Sequence, residues 1–286
     1  MLRVAVPNKG SLADPASHML REAGYRQRTQ DRELVLHDPE NDTEFFFLRP
    51  RDIATYVGSG QLDVGITGRD LLLDSRAEAH ELMPLGFGTS TFRFAALPGT
   101  AASTADIAGL RVATSYAGLV DRYLSERGVA ASVIRLDGAV ETSVRLGVAD
   151  VIADVVETGS TLRQAGLEVF GEPILHSEAV LIRGDGASTS DPAVEVAVEQ
   201  MQRRLNGVMV AATYVIVDYD VPSALVEQAC ELTPGIESPT ISPLHDPVWV
   251  AVRALVPRPD TNRVMDELYE LGARGILVTD IHACRL

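Results

Sequence analysis

Asp150-Val-Ile-Ala-Asp-Val-Val-Glu-Thr-Gly-Ser-Thr-Leu162 is the stretch whose residue types are best suited to chemistry. The β-branched run Val151–Val155 predicts a strand, and Asp150, Asp154 and Glu157 place carboxylates along it and just beyond it. Thr158-Gly-Ser-Thr161 follows as a small-residue turn before a helix expected near Leu162, with Thr161 and Gln164 at the spacing of a capping box. A turn of this kind presents the amides and hydroxyls of Thr158, Gly159, Ser160 and Thr161 where free N–H groups and the helix dipole attract a phosphate. The Asp154 carboxylate, with Glu157 as its neighbour, is placed to accept hydrogen bonds from sugar hydroxyls. Acid and turn together suit a ribose 5-phosphate. The turn taken alone is also what an ordinary, well-capped strand–turn–helix looks like.

Other candidates lie at the ends of predicted strands. Lys9, on the first strand-to-helix turn, and Arg49, just after Phe45–Leu48, are cations at strand ends, where α/β sheets place their sites, or solvated surface residues. Asp70, in Gly68-Arg-Asp70, suits either a ligand contact or a helix N-cap. Glu141, in the helix expected after Asp137-Gly138, could face a ribose or a metal, or simply be a first-turn acid stabilised by the dipole. Near the C-terminus, Asp218, Ser238 and Thr240 are further polar candidates. The proline-rich Thr233–Pro243 that carries the last two predicts a stiff loop suited to a preformed pocket.

The elements that must position these residues alternate between strand and helix. Leu2–Pro7, Phe45–Leu48 and Leu62–Gly68 read as strands, with helices through Ala23, at Ile53–Val57 and from Asp70, which predicts a parallel α/β sheet. After Leu85 a second lobe begins. It holds strands at Thr91–Leu97, within Leu110–Thr114, at Ser132–Leu136 and at Val151–Val155, and helices at Leu119–Arg127 and Ala139–Gly147. The apolar Ile174–Ile182 could carry the chain back to the first lobe. Val208–Asp218, Ser223–Leu232, Gly235–Leu244, Val248–Val256, Asp260–Leu271 and Gly275–Thr279 then read as βαββαβ, the ferredoxin-like order. The expected division is residues 1–92 with 177–207 as one lobe, 93–176 as the second, and 208–286 as a separate domain. Two chain crossings leave a cleft between the lobes, a favoured place for small-molecule sites.

The chain has 286 residues, 46% of them hydrophobic, with no apolar run near the roughly 20 residues that span a bilayer and no export signal at its start. No membrane partner and a cytoplasmic location are expected. Cys230 and Cys284 form no metal-ligand spacing. The net charge of −15, with no basic face, argues against nucleic acid as a partner. A phosphorylated substrate must therefore be drawn in by local amides, cations or a metal.

Residues 150–162 resemble the phosphoribosyl-diphosphate loop of the ATP phosphoribosyltransferase family. Val4-Ala-Val-Pro-Asn-Lys-Gly-Ser-Leu12, Phe47-Leu-Arg-Pro-Arg-Asp-Ile53, Asp63-Val-Gly-Ile-Thr-Gly-Arg-Asp70 and Arg135-Leu-Asp-Gly-Ala-Val-Glu141 are similar to further signatures of that family. Glu237-Ser-Pro-Thr-Ile-Ser-Pro-Leu244 resembles the regulatory domain of its long form. The resemblance implies transfer of a phosphoribosyl group from phosphoribosyl diphosphate to N1 of the ATP adenine, with release of diphosphate, as the first step of histidine biosynthesis. It implies Mg²⁺ as cofactor and feedback inhibition by histidine. It also implies dimers and hexamers. On this reading Lys9, Arg49 and Glu141 are catalytic, and Asp70 and Leu71, with Ser90, lie on the substrate side with Asp154, Glu157, Thr158, Gly159, Ser160 and Thr161. Asp218, Ser238, Thr240 and Ala273 hold histidine, and the metal ligands stay open.

The expected fold is α/β: a bilobed, periplasmic-binding-protein-like core plus a ferredoxin-like domain. Thr104-Ala-Asp-Ile-Ala-Gly-Leu-Arg-Val-Ala-Thr114 is itself similar to the second-lobe opening of periplasmic binding proteins, so a non-catalytic solute-binding or effector-sensing protein is the rival reading.

Overall fold

A computed structural model describes residues 1–28, 33–156, 159–185, 191–281 and 284–285. The chain forms two compact units, one of residues 1–21 with 25–200 and one of residues 22–24 with 201–286.

The first unit opens with β1 (Leu2–Pro7), α1 (Ala13–Glu22), β2 (Val35–Asp38), β3 (Thr43–Leu48), α2 (Pro50–Gly58), β4 (Val64–Gly68), α3 (Arg69–Ser75) and β5 (Ala79–Pro84). It continues with β6 (Ser90–Ala96), β7 (Arg111–Thr114), α4 (Ala117–Glu126), β8 (Ser132–Arg135), α5 (Thr142–Arg145), β9 (Val151–Val156), α6 (Ser160–Gln164), β10 (Glu168–Ser177) and β11 (Ala179–Gly184). α7 (Pro192–Thr213) follows.

Two sheets result, ordered β2-β3-β1-β4-β11-β5 and β10-β6-β9-β7-β8. The chain passes from the first to the second between β5 and β6 and returns between β10 and β11. This is the bilobed, twice-crossed, periplasmic-binding-protein-like layout. β1 runs parallel to both β3 and β4, and β7 runs parallel to both β8 and β9. The returning β11 lies antiparallel between β4 and β5. All of Ser90–Ala96 belongs to the second sheet.

The first lobe's core is built where β-branched strand positions meet α2. Ala5, Ile53, Ala54, Val57, Val180 and Ile182 are wholly buried together. In the second lobe Phe92 and Phe94 alternate on one face of β6 and pack on Leu119, Val120 and Tyr123 of α4. Full burial of a ring of this size stabilises by roughly 1.5–3 kcal/mol. The other face of that sheet packs Ala95 and Ile152 against Val140 and Leu162.

The second unit holds β12 (Tyr214–Pro222), α8 (Val226–Leu232), β13 (Thr240–Pro243), β14 (Trp249–Pro257), α9 (Thr261–Leu271) and β15 (Arg274–Asp280). Its sheet order, β13-β14-β12-β15 with every pair antiparallel, is the ferredoxin-like arrangement. Val215, Val217, Tyr219 and Val221 face the helices, and the intervening residues face away from them.

Three local expectations are corrected. The strand expected from Val208 starts only at Tyr214: Val198, Met201 and Leu205 are buried at helical spacing, and the helix α7 that they anchor continues through Thr213. The helix expected over Ala139–Gly147 shrinks to Thr142–Arg145, since Gly138 and Ala139 both take positive φ, at 113° and 46°. The helix after β9 starts at Ser160, not near Leu162. Its N-cap is Gly159 at φ 67°, without a side-chain cap, so Thr161 lies in the first turn and makes no capping box. Among the described residues, no helix is long and apolar enough to cross a membrane.

Candidate active site

Lys9, Arg49 and Asp70 leave the carboxyl ends of β1, β3 and β4. Glu141 follows β8, and Asp154 lies near the end of β9. Carboxyl ends of parallel strands are where open α/β sheets place ligands. Lys9 and Arg49 emerge side by side, because Pro7 pairs with Leu48 and the Asn8 amide donates to the Leu48 carbonyl at 2.8 Å. Both side chains are exposed.

Asp70 is held tightly. Its side chain is buried, and the Ser177 hydroxyl donates to its Oδ1 at 2.9 Å while accepting from the Asp70 amide at 3.1 Å. Gly68 is the residue before α3, so Asp70 is not the N-cap. A Cβ at position 68 would lie 2.3 Å from Asp70 Oδ1, which explains the glycine there. Ser90 is the register partner of Ser177 and so adjoins this pair, and half-buried Leu71 follows Asp70.

The second lobe answers with Tyr116, the residue before α4. Burial first, then the negative Asp70 and Asp154, push its phenol far above its ordinary value. Tyr116 packs edge-on to Phe92 at 5.1 Å and lies under the Arg51 guanidinium at 4.8 Å.

Asp154 is largely buried in the same place. Desolvation raises its carboxyl above the usual range, and the nearby Glu141 and Asp70 charges raise it further; the Val155 amide bond, at 2.8 Å to Oδ1, and Arg51 pull the other way. Arg93 stands opposite Asp154 in the β6–β9 register. Its Nη2 donates to the Gly171 carbonyl at 2.6 Å, and its buried Nε has no partner among the described residues. Beyond Asp154, Gly159 takes the left-handed conformation that turns the strand into α6, with Ser160 and Thr161 exposed in the first helical turn. Glu157 and Thr158 lie outside the described residues.

The first unit therefore brings Asp70, Asp154 and Glu141 into one electrostatic neighbourhood with Arg51 and Tyr116, two residues that motif reading missed. Arg51 sits within the Arg49-Pro-Arg51 run, but the side that each arginine faces is set by α2, which starts at Pro50. Among the described residues, no three His, Cys, Asp or Glu side chains converge into a ready metal cage.

In the second unit, a cleft of about 390 Å³ on the sheet face away from the helices is lined by Ser238, Thr240 and Arg253, with Ile216 and Leu255 as apolar walls. Asp218 borders it through Arg253, whose Nε donates to Asp218 Oδ1 at 2.7 Å. The Ala273 side chain is wholly buried on the helix-packed side of the sheet, not in this cleft.

Fold and site define a class: two-lobed α/β proteins whose polar groups meet at facing strand ends, extended by a ferredoxin-like unit. The ATP phosphoribosyltransferase (HisG) family profile matches residues 49–207, and that of the HisG C-terminal domain matches 211–283. ATP phosphoribosyltransferases of Pseudarthrobacter chlorophenolicus and Streptomyces avermitilis are 67% and 65% identical over 286 residues, covering all of both chains in each case. The structure of the ATP phosphoribosyl transferase (HisG:HisZ) complex from Thermotoga maritima is similar at 25% identity and a TM-score of 0.60, over 72% of this chain and 99% of that one. The chain belongs to the ATP phosphoribosyltransferase family, in its long form with a C-terminal domain, and is an enzyme of histidine biosynthesis. A non-catalytic solute-binding role is thereby set aside.

Proposed function

We propose that the enzyme transfers the 5-phosphoribosyl group of phosphoribosyl diphosphate to N1 of the ATP adenine, releasing diphosphate, and that histidine inhibits it from the C-terminal domain. The observation that carries this reading is the largely buried Asp154 carboxylate, with the Gly159 turn into α6 a few residues further along the chain. Asp154 accepts the ribose hydroxyls, and the amides and hydroxyls of residues 158–161, with Glu157 beside them, hold the 5-phosphate. Asp70, Leu71 and Ser90 receive the adenine nucleotide. An adenine nitrogen needs positioning more than deprotonation, so holding both substrates at reacting distance is the larger contribution. Lys9 and Arg49 offset the charge that develops on diphosphate as the C1–O bond breaks.

Mg²⁺ fits this donor set, because it favours one or two carboxylates together with substrate phosphates over an all-protein cage. Glu141 is the candidate protein ligand. When bound, the ion would neutralise part of the departing diphosphate charge. Thr161→Ala removes one hydroxyl donor to a charged phosphate, a contact worth about 1.5–3 kcal/mol. The expected result is a KM for phosphoribosyl diphosphate raised roughly tenfold with the KM for ATP unaltered; equal changes in both would remove Thr161 from the phosphate site.

In the C-terminal domain, the Asp218–Arg253 pair offers both signs of charge beside Ser238 and Thr240, which matches an amino acid with an ammonium, a carboxylate and an imidazole. Asp218→Ala should raise the histidine concentration for half-inhibition by about tenfold or more, measured as adduct formation against histidine. An unmoved inhibition curve would place the effector elsewhere. The exposed Ile241, Val248 and Leu277 support assembly into the dimers and hexamers expected of the family. A cytoplasmic site of action completes the proposal.

A further inference from the structure

Helix α4 of the second lobe is capped by the first lobe. Asp74, near the end of α3, accepts hydrogen bonds through Oδ1 from the amides of Gly118 at 2.9 Å and Leu119 at 3.2 Å. Such amides are ordinarily satisfied by the residue just before the helix. Here that residue, Tyr116, provides no capping side chain, and the carboxylate comes from 44 positions earlier. Asp74 Oδ2 meanwhile accepts from Arg51 Nη1 at 2.9 Å, with the carboxylate only 11% exposed. The same Nη1 donates to the Ser115 carbonyl at 2.8 Å, and the guanidinium covers the Tyr116 ring. The approach of the two helices is close enough to need glycine: a Cβ at Gly118 would lie 2.4 Å from the Asp74 carbonyl oxygen.

We propose that Asp74 is a positioning residue that acts between the lobes. By capping α4 and anchoring Arg51, it sets the separation of the lobes and holds Tyr116 against Asp70. Groups bound on opposite lobes then meet at reacting distance. This rests on reading the cleft as the substrate site. Asp74 itself touches neither substrate, so each half-site keeps its own affinity when the latch is lost, and the penalty falls on turnover. A misplacement of about 1 Å is enough to cost on the order of 10²-fold in rate.

The test uses the full chain as wild type and as Asp74→Ala, Asp74→Asn and Gly118→Ala, measuring adduct formation with each substrate varied and thermal unfolding as the control on folding. Asp74→Ala is expected to lower kcat about 10- to 100-fold while each KM moves less than about threefold. Asp74→Asn keeps an oxygen for the α4 amides and should recover much of that loss. Gly118→Ala strengthens α4 as a helix but wedges it from α3, and should reproduce the Asp74→Ala phenotype without lowering helix propensity. If Asp74→Ala does not fold, Gly118→Ala decides alone. Wild-type kcat in Gly118→Ala, or a loss of kcat in Asp74→Ala matched by equal rises in both KM values, overturns the proposal. Failure of the underlying site reading is distinguishable, because it would leave Asp154→Asn with unaltered phosphoribosyl-diphosphate kinetics whatever Asp74 does.

Discussion

Asp154→Asn is expected to lower kcat/KM for phosphoribosyl diphosphate by on the order of 10²-fold and, at neutral pH, to raise the melting temperature. The first effect follows from losing charge-assisted acceptance of two sugar hydroxyls, each contact worth about 1.5–3 kcal/mol. The second follows from linkage. Burial, with Glu141 and Asp70 nearby, raises the folded-state pKa of Asp154 above its unfolded value. Between those two values the folded chain holds the proton more often than the unfolded chain does, so stability falls as pH rises through that window. Above it the folded protein carries the whole cost of a buried charge, which asparagine does not have. The stabilisation should therefore be present at pH 7 and should vanish when melting is measured below the unfolded carboxylate pKa. A variant that loses activity and stability together at pH 7 would show that Asp154 is a structural partner and not a strained binding group.

Lys9→Ala is expected to reduce kcat by about 10²-fold, the range seen when one preorganised charge-stabilising group is removed. Lys9 and Arg49 leave neighbouring parallel strands, both exposed, and neither makes an ion pair among the described residues. In a chain of net charge −15, two adjacent cations at strand ends form a local exception to the overall field. Their service is to a charge that grows as diphosphate departs, so the loss should appear in kcat more than in either KM. Steady-state rates at saturating substrates check this, and an unaltered kcat would remove Lys9 from the leaving-group role.

How far the sequence carried depended on how local each cause was. The β9 strand, its acid and the glycine turn could be read because β-branched pattern, carboxylate and small residues all lie within thirteen positions. The two crossings could be read from the order of apolar runs. β5 escaped notice because its sheet partner β11 arrives about a hundred residues later. Tyr116, Arg51 and Asp74 escaped for the same physical reason: their roles are contacts between lobes, and nothing in a phenol, a guanidinium or a carboxylate announces a partner 23 to 64 positions away. The sequence could likewise name Asp218, Ser238 and Thr240, but not the Arg253 side chain that joins the first of them to the cleft.

A crystal structure of the enzyme with phosphoribosyl diphosphate and Mg²⁺ would show directly which groups hold the sugar phosphate. The expected result is ribose hydroxyls within hydrogen-bonding distance of the Asp154 carboxylate, the 5-phosphate on the amides at the start of α6, and the diphosphate turned toward Lys9 and Arg49. A sugar phosphate bound away from α6, or an Asp154 carboxylate occupied by the adenine nucleotide, would contradict it.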